Sequence, residues 1–257
     1  MLTPGDVAKK TVEVGKAKAA LTADKMLTLG IFAGAFIALA GVGATFGNIY
    51  VGKLAGACIF PVGLIMVVIA GSELFTGNNL MVMAALKRQI TWRRMFLNWV
   101  LVFIGNFIGA VLVAGMVIYS GALDAAAETV MDAAVAKSNI GFLEAMMRGV
   151  LCNFLVCIAV WMSFAADTVG GKVAAIFGPI MLFVIAGFEH SVANMYYGPA
   201  GLMMAARHGM VANLTAETFV VNNLIPVTIG NIIGGAGLVG LGYYLAWPIK
   251  NSSKRAK

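Results

Sequence analysis

The chain has 257 residues, of which 61% are apolar and only 11% charged, and its formal net charge is +7. A soluble domain has about 25% charged residues, so this chain cannot cover a water-exposed surface with polar groups. Its apolar runs are continuous and about 20 residues long, which predicts membrane-spanning helices and excludes the short alternating strands of an outer-membrane barrel. The composition therefore indicates an all-α integral membrane protein.

The positive charge lies beside the apolar segments. Basic residues gather in the N-terminal stretch, in the loop at 87–94, near Lys172 and in the C-terminal tail. The positive-inside rule then predicts a multi-pass protein of the cell membrane with both termini in the cytoplasm. Topology thus explains the net charge, and we expect no nucleic-acid partner. A secretory signal peptide is not expected, because the first 25 residues hold five lysines and no apolar core.

Residues 1–25 are predicted to form an amphipathic cytoplasmic helix. Thr3 suits the N-cap, Pro4 the first helical position and Asp6 the position of a capping acid. The lysines can share one face of this helix and small apolar residues the other. We therefore expect a solvated basic helix that lies at the membrane surface, and a role in gating is the alternative.

Six spans are expected in residues 26–247, and a basic cytoplasmic tail follows at 248–257. Each half of this membrane domain, about 26–120 and 141–247, holds three spans. They cover about 26–46, 54–86 and 95–119 in the first half and about 142–166, 173–206 and 224–247 in the second. Polar residues interrupt the second span from Ser72 to Asn79 and the fifth from Glu189 to Asn194. Residues 120–140 are interpreted as the longest connection.

The two halves repeat one pattern. Both interruptions read G-x-E-x-x-x-x-N, at 71–78 and 187–194, and the last span of each half contains G-N-x-I-G, at 105–109 and 230–234. Because each half has an odd number of spans, the halves must have opposite orientations. The sequence therefore predicts six transmembrane helices in an inverted 3+3 repeat with two broken helices, with function at the interface of the halves.

Ionisable side chains at membrane depth cost about 2.5 kcal/mol or more each, so they need partners or a function. Glu73 and Glu189 are interpreted as structural groups that accept the backbone N–H bonds left free by the breaks. His190 is either a hydrogen-bonded core residue or a group that contacts an anion or exchanges a proton with it, because imidazole changes charge near neutral pH. Thr76 can offer a hydroxyl to an anion. Lys137 either attracts anions into a vestibule or is an ordinary surface charge.

An enzymatic function is not expected. The sequence contains two histidines, no cluster of Cys and His with metal-ligand spacing, and no P-loop, so we expect no cofactor. The three cysteines lie in apolar segments and are interpreted as small buried residues. A conduit remains, and broken helices favour anions because they expose backbone amides and helix N-termini.

Three motifs at these positions resemble the formate–nitrite transporter family, whose members carry small monovalent anions such as formate, nitrite and hydrosulfide. The motifs are I-A-G-S-E-L-F-T-G at 69–77, G-V-L-C-N-F-L-V-C-I-A at 149–159 and E-H-S-V-A-N-M at 189–195. The resemblance extends from the N-terminal helix to the sixth span. It implies an aquaporin-like channel in the lipid bilayer, assembled as a homopentamer with one pore in each subunit.

The resemblance also implies roles for individual residues. His190 would be the central histidine, Thr76 its facing hydroxyl and Lys137 the lysine of a vestibule, with Asn153 and Asn231 supporting the pore. Two apolar constrictions would be formed by Phe60, Phe75 and Phe183 on the outer side and by Leu64 and Leu74 on the inner side. The connection from Arg207 to Asn223 is shorter than in formate channels.

Several alternatives stay open. A narrow apolar constriction penalises a bare anion, so a weak acid that is protonated near His190 fits better than chloride does. A secondary transporter that couples these anions to protons would use the same residues. A water or glycerol channel should contain two Asn-Pro-Ala breaks, and an ammonium channel should contain two pore histidines. A membrane anchor of a redox enzyme would explain the hydrophobicity but not the paired polar breaks.

Overall fold

The structure, a computed structural model, describes residues 1–210 and 214–248. These residues contain no strand, and five helical segments in them are long and apolar enough to span a membrane, with a shorter apolar helix at Val169–Ile185. The prediction of an all-α membrane fold is confirmed. The predicted basic tail lies outside the described residues from 249 onward.

The first half of the chain starts with α1 (Pro4–Ala20), which precedes the spans. The first span is α2 (Ala23–Tyr50), and the third is α7 (Trp92–Tyr119). The broken second span consists of α3 (Lys53–Ile59), α4 (Pro61–Ala70), α5 (Phe75–Asn78), a 3₁₀ turn (Asn79–Met81) and α6 (Val82–Leu86).

The second half contains α8 (Ala127–Ser138), which precedes the fourth span, α9 (Phe142–Ala165). The broken fifth span consists of α10 (Val169–Ile185) and α11 (Ser191–His208). The sixth span runs through α12 (Ala216–Phe219), α13 (Ile225–Ile232) and α14 (Gly242–Ala246), which are joined by π-helical segments at Val220–Leu224 and Ile233–Leu241.

The predicted spans coincide with helices. Residues 120–140 connect the third and fourth spans, and α8 occupies most of them and buries Val130 and Ala134. One local expectation is wrong, because both breaks are shorter than predicted. Helix resumes at Phe75 in the first half and at Ser191 in the second, so Asn194 lies in the first turn of α11 and not in the break.

A glycine in the left-handed region ends the helix before each break. Gly71 has φ of 79° and Gly187 has φ of 70°. A residue with a Cβ atom is strained in this conformation, which explains why glycine occupies both positions. The two glycines turn the chain so that a short extended segment precedes the restarted helix.

Helix α1 packs on the protein through its apolar face, a contact that the sequence did not predict. Val7, Ala8 and Val12 are buried, and the helix contacts α6, α9 and the 3₁₀ turn. The Arg94 guanidinium donates to the carbonyl oxygens of Ala19 and Leu21 and so caps the C-terminal end of α1. The predicted amphipathic pattern is confirmed, and its apolar face covers protein.

The predicted N-cap of α1 is confirmed. The backbone N–H of Asp6 donates to the Thr3 hydroxyl oxygen at 3.3 Å, and Pro4 occupies the first turn. The Thr3 hydroxyl in turn donates to the Asp6 carboxylate at 2.7 Å, and Lys9 donates to it at 2.9 Å. These two hydrogen bonds and the charge of Lys9 lower the pKa of Asp6 below its usual value.

The halves pack in the same way. Helix α2 contacts α7 over a long seam, and α9 contacts α13 in the corresponding place of the second half. A Cβ atom at Gly109 would overlap the carbonyl oxygen of Ile31, and one at Gly234 would overlap that of Val150. The repeated glycines therefore allow close helix packing inside the subunit, and they give no support for subunit assembly.

Candidate functional site

Two vestibules and a small chamber between them occupy the interface of the two halves. The Glu73 vestibule, of about 200 Å³, is lined by residues that include Lys18, Glu73 and Ser72. The Glu189 vestibule, of about 220 Å³, includes Lys137 and Glu189 in its lining. The central chamber has a volume of about 10 Å³, which is roughly the space that one water molecule requires.

Apolar side chains separate the chamber from each vestibule. Leu64 and Leu74 line both the chamber and the Glu73 vestibule, and Phe60 and Phe183 line both the chamber and the Glu189 vestibule. The rings of Phe60 and Phe183 meet edge to face, with centroids 5.8 Å apart. All four side chains are buried. A solute that crosses the subunit must pass these two constrictions.

Phe75 does not contribute to the outer constriction as the sequence suggested. Its ring packs edge to face on Phe103 and on Trp99, with centroids 5.0 Å and 6.1 Å away. Phe75 lines none of the three cavities. Phe75 is the first residue of α5, and its ring packs on α7. This contact anchors the restarted helix.

His190 lies at the junction of the chamber and the Glu189 vestibule. Its Nε2 atom is 2.8 Å from the hydroxyl oxygen of Thr76, which comes from the other broken helix. Phe183 stacks on the imidazole with a centroid distance of 5.9 Å. Both side chains are buried, His190 at 3% exposure and Thr76 at 0%. The two broken helices therefore meet at this hydrogen bond.

The hydrogen bonds of His190 define its tautomer. The backbone N–H of Ala193 donates to Nδ1 at 3.1 Å, so Nδ1 is an acceptor and carries no proton. A neutral imidazole then carries its proton on Nε2 and donates it to Thr76. In an imidazolium, Nδ1 would also carry a proton, and its N–H would face the N–H of Ala193. The positive charge would also lie at the positive N-terminal end of α11. The geometry therefore favours neutral His190.

Each break carries a buried ion pair. Glu73 accepts from Lys18 of α1 at 2.5 Å, and Glu189 accepts from Lys137 of α8 at 2.7 and 2.9 Å. The carboxylates are buried, and the lysines keep 23% and 20% of their side chains exposed. Lys137 is therefore neither an isolated surface charge nor an unpaired vestibule charge.

Asparagines complete the two ion pairs in the same pattern. Asn78 donates to Glu73 and to the amide oxygen of Asn98, and Asn194 donates to Glu189 and to the amide oxygen of Asn223. The third span of each half thus supplies one asparagine to the carboxylate network of its own half. The two networks follow the inverted repeat.

The glutamate carboxylates do not accept the backbone N–H groups freed by the breaks, so that interpretation is wrong. Asn106 accepts from the N–H of Phe75 at 2.9 Å, and Asn231 accepts from that of Ser191 at 2.9 Å. Each of the two amides also donates to the carbonyl oxygen of its glutamate, Glu73 or Glu189, at 2.9 and 3.0 Å. A neutral side chain therefore satisfies the backbone of each break.

Asn153 links the broken helix of the first half to the sixth span. Its Nδ2 atom donates to the carbonyl oxygen of Asn231 at 2.6 Å and lies 3.3 Å from the carbonyl oxygen of Thr76. The thiol of Cys157 also donates to that Thr76 oxygen at 3.4 Å. Asn153 thus holds the backbone of Thr76 in place without lining a cavity.

Sequence reasoning missed Lys18 and Asn106 as site residues. The repeat itself held the signal for Asn106, because Asn231 occupies the equivalent position of the second motif. Lys18 had no such signal, since it lies on a helix outside the repeat. Within the described residues, no group of three or more His, Cys, Asp or Glu side chains is placed to hold a metal ion.

Broken helices that meet between two vestibules define a multi-pass, aquaporin-like membrane protein of the channel and transporter class. The family model for the formate/nitrite transporter matches residues 5–245. The chain belongs to the formate/nitrite transporter family.

Individual relatives agree over almost the whole chain. The chain is 42% identical to the formate channel FocA of Haemophilus influenzae, over 82% of this chain and 83% of that protein. It is 37% identical to the formate channel FocA of Escherichia coli K12, over 98% of this chain and 96% of that protein. A solved pentameric formate channel with formate bound superimposes with a TM-score of 0.76 at 34% identity, over 88% of this chain and 97% of that one.

Proposed function

We propose that this chain forms a channel for small monovalent anions of weak acids, with formate as the first candidate and nitrite and hydrosulfide as further ones. The similar FocA proteins are formate channels, and the similar solved structure has formate bound. The observation that carries the proposal is the neutral His190, paired with Thr76 between two apolar constrictions.

The constrictions set the energetic problem. A bare anion that leaves water for an apolar passage pays a large desolvation penalty, and a neutral acid pays much less. His190 lines the chamber, where its Nε2–H can turn from the Thr76 hydroxyl to an oxygen of the solute. This exchange of partners replaces part of the lost hydration and selects solutes that accept hydrogen bonds.

His190 can also transfer a proton without ending in a charged state. Nδ1 takes a proton from the Glu189 vestibule as the hydrogen bond from Ala193 opens, and Nε2 releases its proton to the anion. The neutral acid then crosses, and the imidazole is left neutral in its other tautomer. This route requires an anion that is basic enough to accept the proton, which disfavours chloride.

The remaining features of the proposal concern topology and assembly. The Glu73 vestibule, which carries α1 and Lys18, faces the cytoplasm, in accord with the positive-inside rule. Residues 26–247 form the channel domain, and residues 1–25 form a helix docked beneath it. Five subunits assemble, each with its own pore, as in the pentameric formate channel that this chain resembles.

The test is formate uptake by proteoliposomes that contain equal amounts of the parent or of His190→Asn, measured between pH 5 and 8. Asparagine can still accept the N–H of Ala193, so the variant keeps the cap of α11, but it does not titrate. We expect a flattened pH profile and weaker discrimination against anions of strong acids. A parent without formate uptake would overturn the channel proposal, and an unchanged pH profile would remove the proton transfer.

One observation favours a proton-coupled transporter as the second candidate. The chamber, of about 10 Å³, is closed by apolar side chains on both sides, as expected of a carrier that opens one side at a time. A fixed ratio of protons to formate, with flux that saturates and can be driven uphill by a pH gradient, would support this candidate over a channel.

A further inference from the structure

The Glu189 vestibule contains two polar side chains that the steps above do not use. Asn48, in the last turn of α2, and Tyr197, in the second turn of α11, line the same vestibule as Lys137. Within residues 1–210 and 214–248, neither the Asn48 amide nor the Tyr197 hydroxyl has a hydrogen-bond partner. The amide oxygen of Asn48 packs against Gly56, where an added Cβ atom would overlap it. The amide nitrogen of Asn48 is therefore the end that is left to donate.

The lysine beside them has donor capacity to spare. The Nζ atom of Lys137 donates to both oxygens of Glu189 and lies 5.4 Å from the centroid of the Tyr197 ring. An ammonium has three N–H donors, so one remains for the vestibule. Because Glu189 neutralises Lys137 at close range, an entering anion meets little net charge. Its retention must then depend on hydrogen bonds.

We infer that Asn48, Tyr197 and Lys137 form an anion subsite in the Glu189 vestibule that selects planar anions with two oxygen atoms, such as formate and nitrite. Asn48 and Tyr197 each supply a neutral donor, and Lys137 supplies one ammonium N–H. Together these three donors can bind both oxygen atoms of such an anion. Hydrosulfide offers one sulfur atom, which is a weak acceptor. The inference rests on the proposed function and deepens it by naming the class of anion that the vestibule retains.

The subsite exists on one side of the protein only. Residue 197 follows Glu189 by eight positions, and the equivalent position after Glu73 is Met81, which lines the Glu73 vestibule. A thioether cannot donate a hydrogen bond. Thr11, another polar residue of that vestibule, already donates its hydroxyl to the carbonyl oxygen of Val7. Ser72 adds a single neutral hydroxyl to the Glu73 vestibule, so the inverted repeat duplicates the ion pairs but not the pair of neutral donors.

The first experiment measures binding by the purified full-length protein, with ¹³C-labelled formate as the probe and saturation-transfer NMR as the readout. Tyr197→Phe keeps the ring beside Lys137 and removes only the hydroxyl, and Asn48→Leu removes the amide. Tyr196→Phe is the matched control, because Tyr196 is adjacent and buried and does not line the vestibule. We expect each test variant to weaken formate binding about tenfold, as for a hydrogen bond to a charged group, and the control to match the parent.

The second experiment measures the concentration that half-saturates uptake into right-side-out membrane vesicles, for formate and for hydrosulfide. We expect Tyr197→Phe and Asn48→Leu to raise it for formate and to leave it unchanged for hydrosulfide. Equal shifts for both solutes, or equal effects of Tyr196→Phe and Tyr197→Phe, would overturn the subsite. Formate binding that depends on Tyr197 in a parent without formate uptake would uphold the subsite and refute the channel. Formate uptake that is identical in the parent and in all variants would uphold the channel and refute the subsite.

Discussion

At the scale of single residues, Lys137 and Glu189 form a pair whose members cannot be changed independently. Glu189 is 4% exposed and accepts hydrogen bonds from Lys137, Asn194 and Asn223. Removal of one partner from a buried ion pair leaves an uncompensated charge and costs about 3–5 kcal/mol, whereas replacement of both partners can be nearly neutral. A lower flux in a single variant would therefore combine the effect of lost stability with any direct effect on transport.

We predict that Lys137→Met lowers the thermal unfolding midpoint of the detergent-solubilised protein markedly and that Lys137→Met with Glu189→Gln restores most of it. Glutamine keeps the shape of glutamate and carries no charge that needs a partner. The corresponding single and double variants of Lys18 and Glu73 provide a matched series on the other side of the subunit. A single variant as stable as the double variant would mean that the Glu189 carboxylate finds another partner.

At the scale of the elements, the asparagines of the third and sixth spans hold the broken helices. Asn106 accepts from Phe75 and donates to the carbonyl oxygens of Gly30 and Glu73. Each buried group left without a partner costs about 1–3 kcal/mol. We predict that Asn106→Leu lowers the free energy of unfolding by several kcal/mol, by about as much as Asn231→Leu, which breaks the equivalent bonds.

Denaturant titration of both variants, monitored by tryptophan fluorescence, measures this loss. Asn48→Leu is the control, because the Asn48 side chain has no hydrogen-bond partner among the described residues. If Asn106→Leu were as stable as the control, the amide would not be required by the break.

The close packing of α2 on α7 leads to a second prediction for the elements. A Cβ atom at Gly109 would overlap the backbone of Ile31, whereas one at Gly178 has no heavy atom within 4 Å. Over-packing of a tight contact costs about 1–3 kcal/mol. We expect Gly109→Ala to reduce the yield of folded protein and its unfolding midpoint, and Gly178→Ala to leave both unchanged, as measured by fluorescence-detected gel filtration. Equal behaviour would mean that the helices can separate at little cost.

At the scale of the whole molecule, the outward faces of the spans are apolar. Phe96, Val100 and Phe107 of α7 are examples, each more than 40% exposed in the single subunit. Such surface needs lipid or a neighbouring subunit to cover it. We predict a native mass of five subunits of 26.8 kDa each in mild detergent, measured by native mass spectrometry. A monomer that conducts fully in lipid bilayers would contradict this assembly.

The sequence alone determined the features that depend on local pattern. The lengths of the apolar runs defined the spans. Gly71 and Gly187, with the polar residues after them, located the breaks to within a few positions, and the repeated motifs implied the inverted halves. These features could be read because they follow from the cost of exposing polar groups to lipid and from the conformational freedom of glycine, which both act over a few residues.

Only the tertiary structure decided which distant side chains meet. It brought Lys18 of α1 to Glu73. It also made Asn106 and Asn231, and not the glutamates, the acceptors of the backbone N–H groups that follow the breaks. It also placed Phe75 against α7 and folded residues 127–138 into the helix that carries Lys137. A buried carboxylate can be satisfied by an ammonium, an amide or a backbone N–H. The choice depends on which of these groups the packing of remote helices brings within about 3 Å, and no local pattern in the sequence encodes that distance.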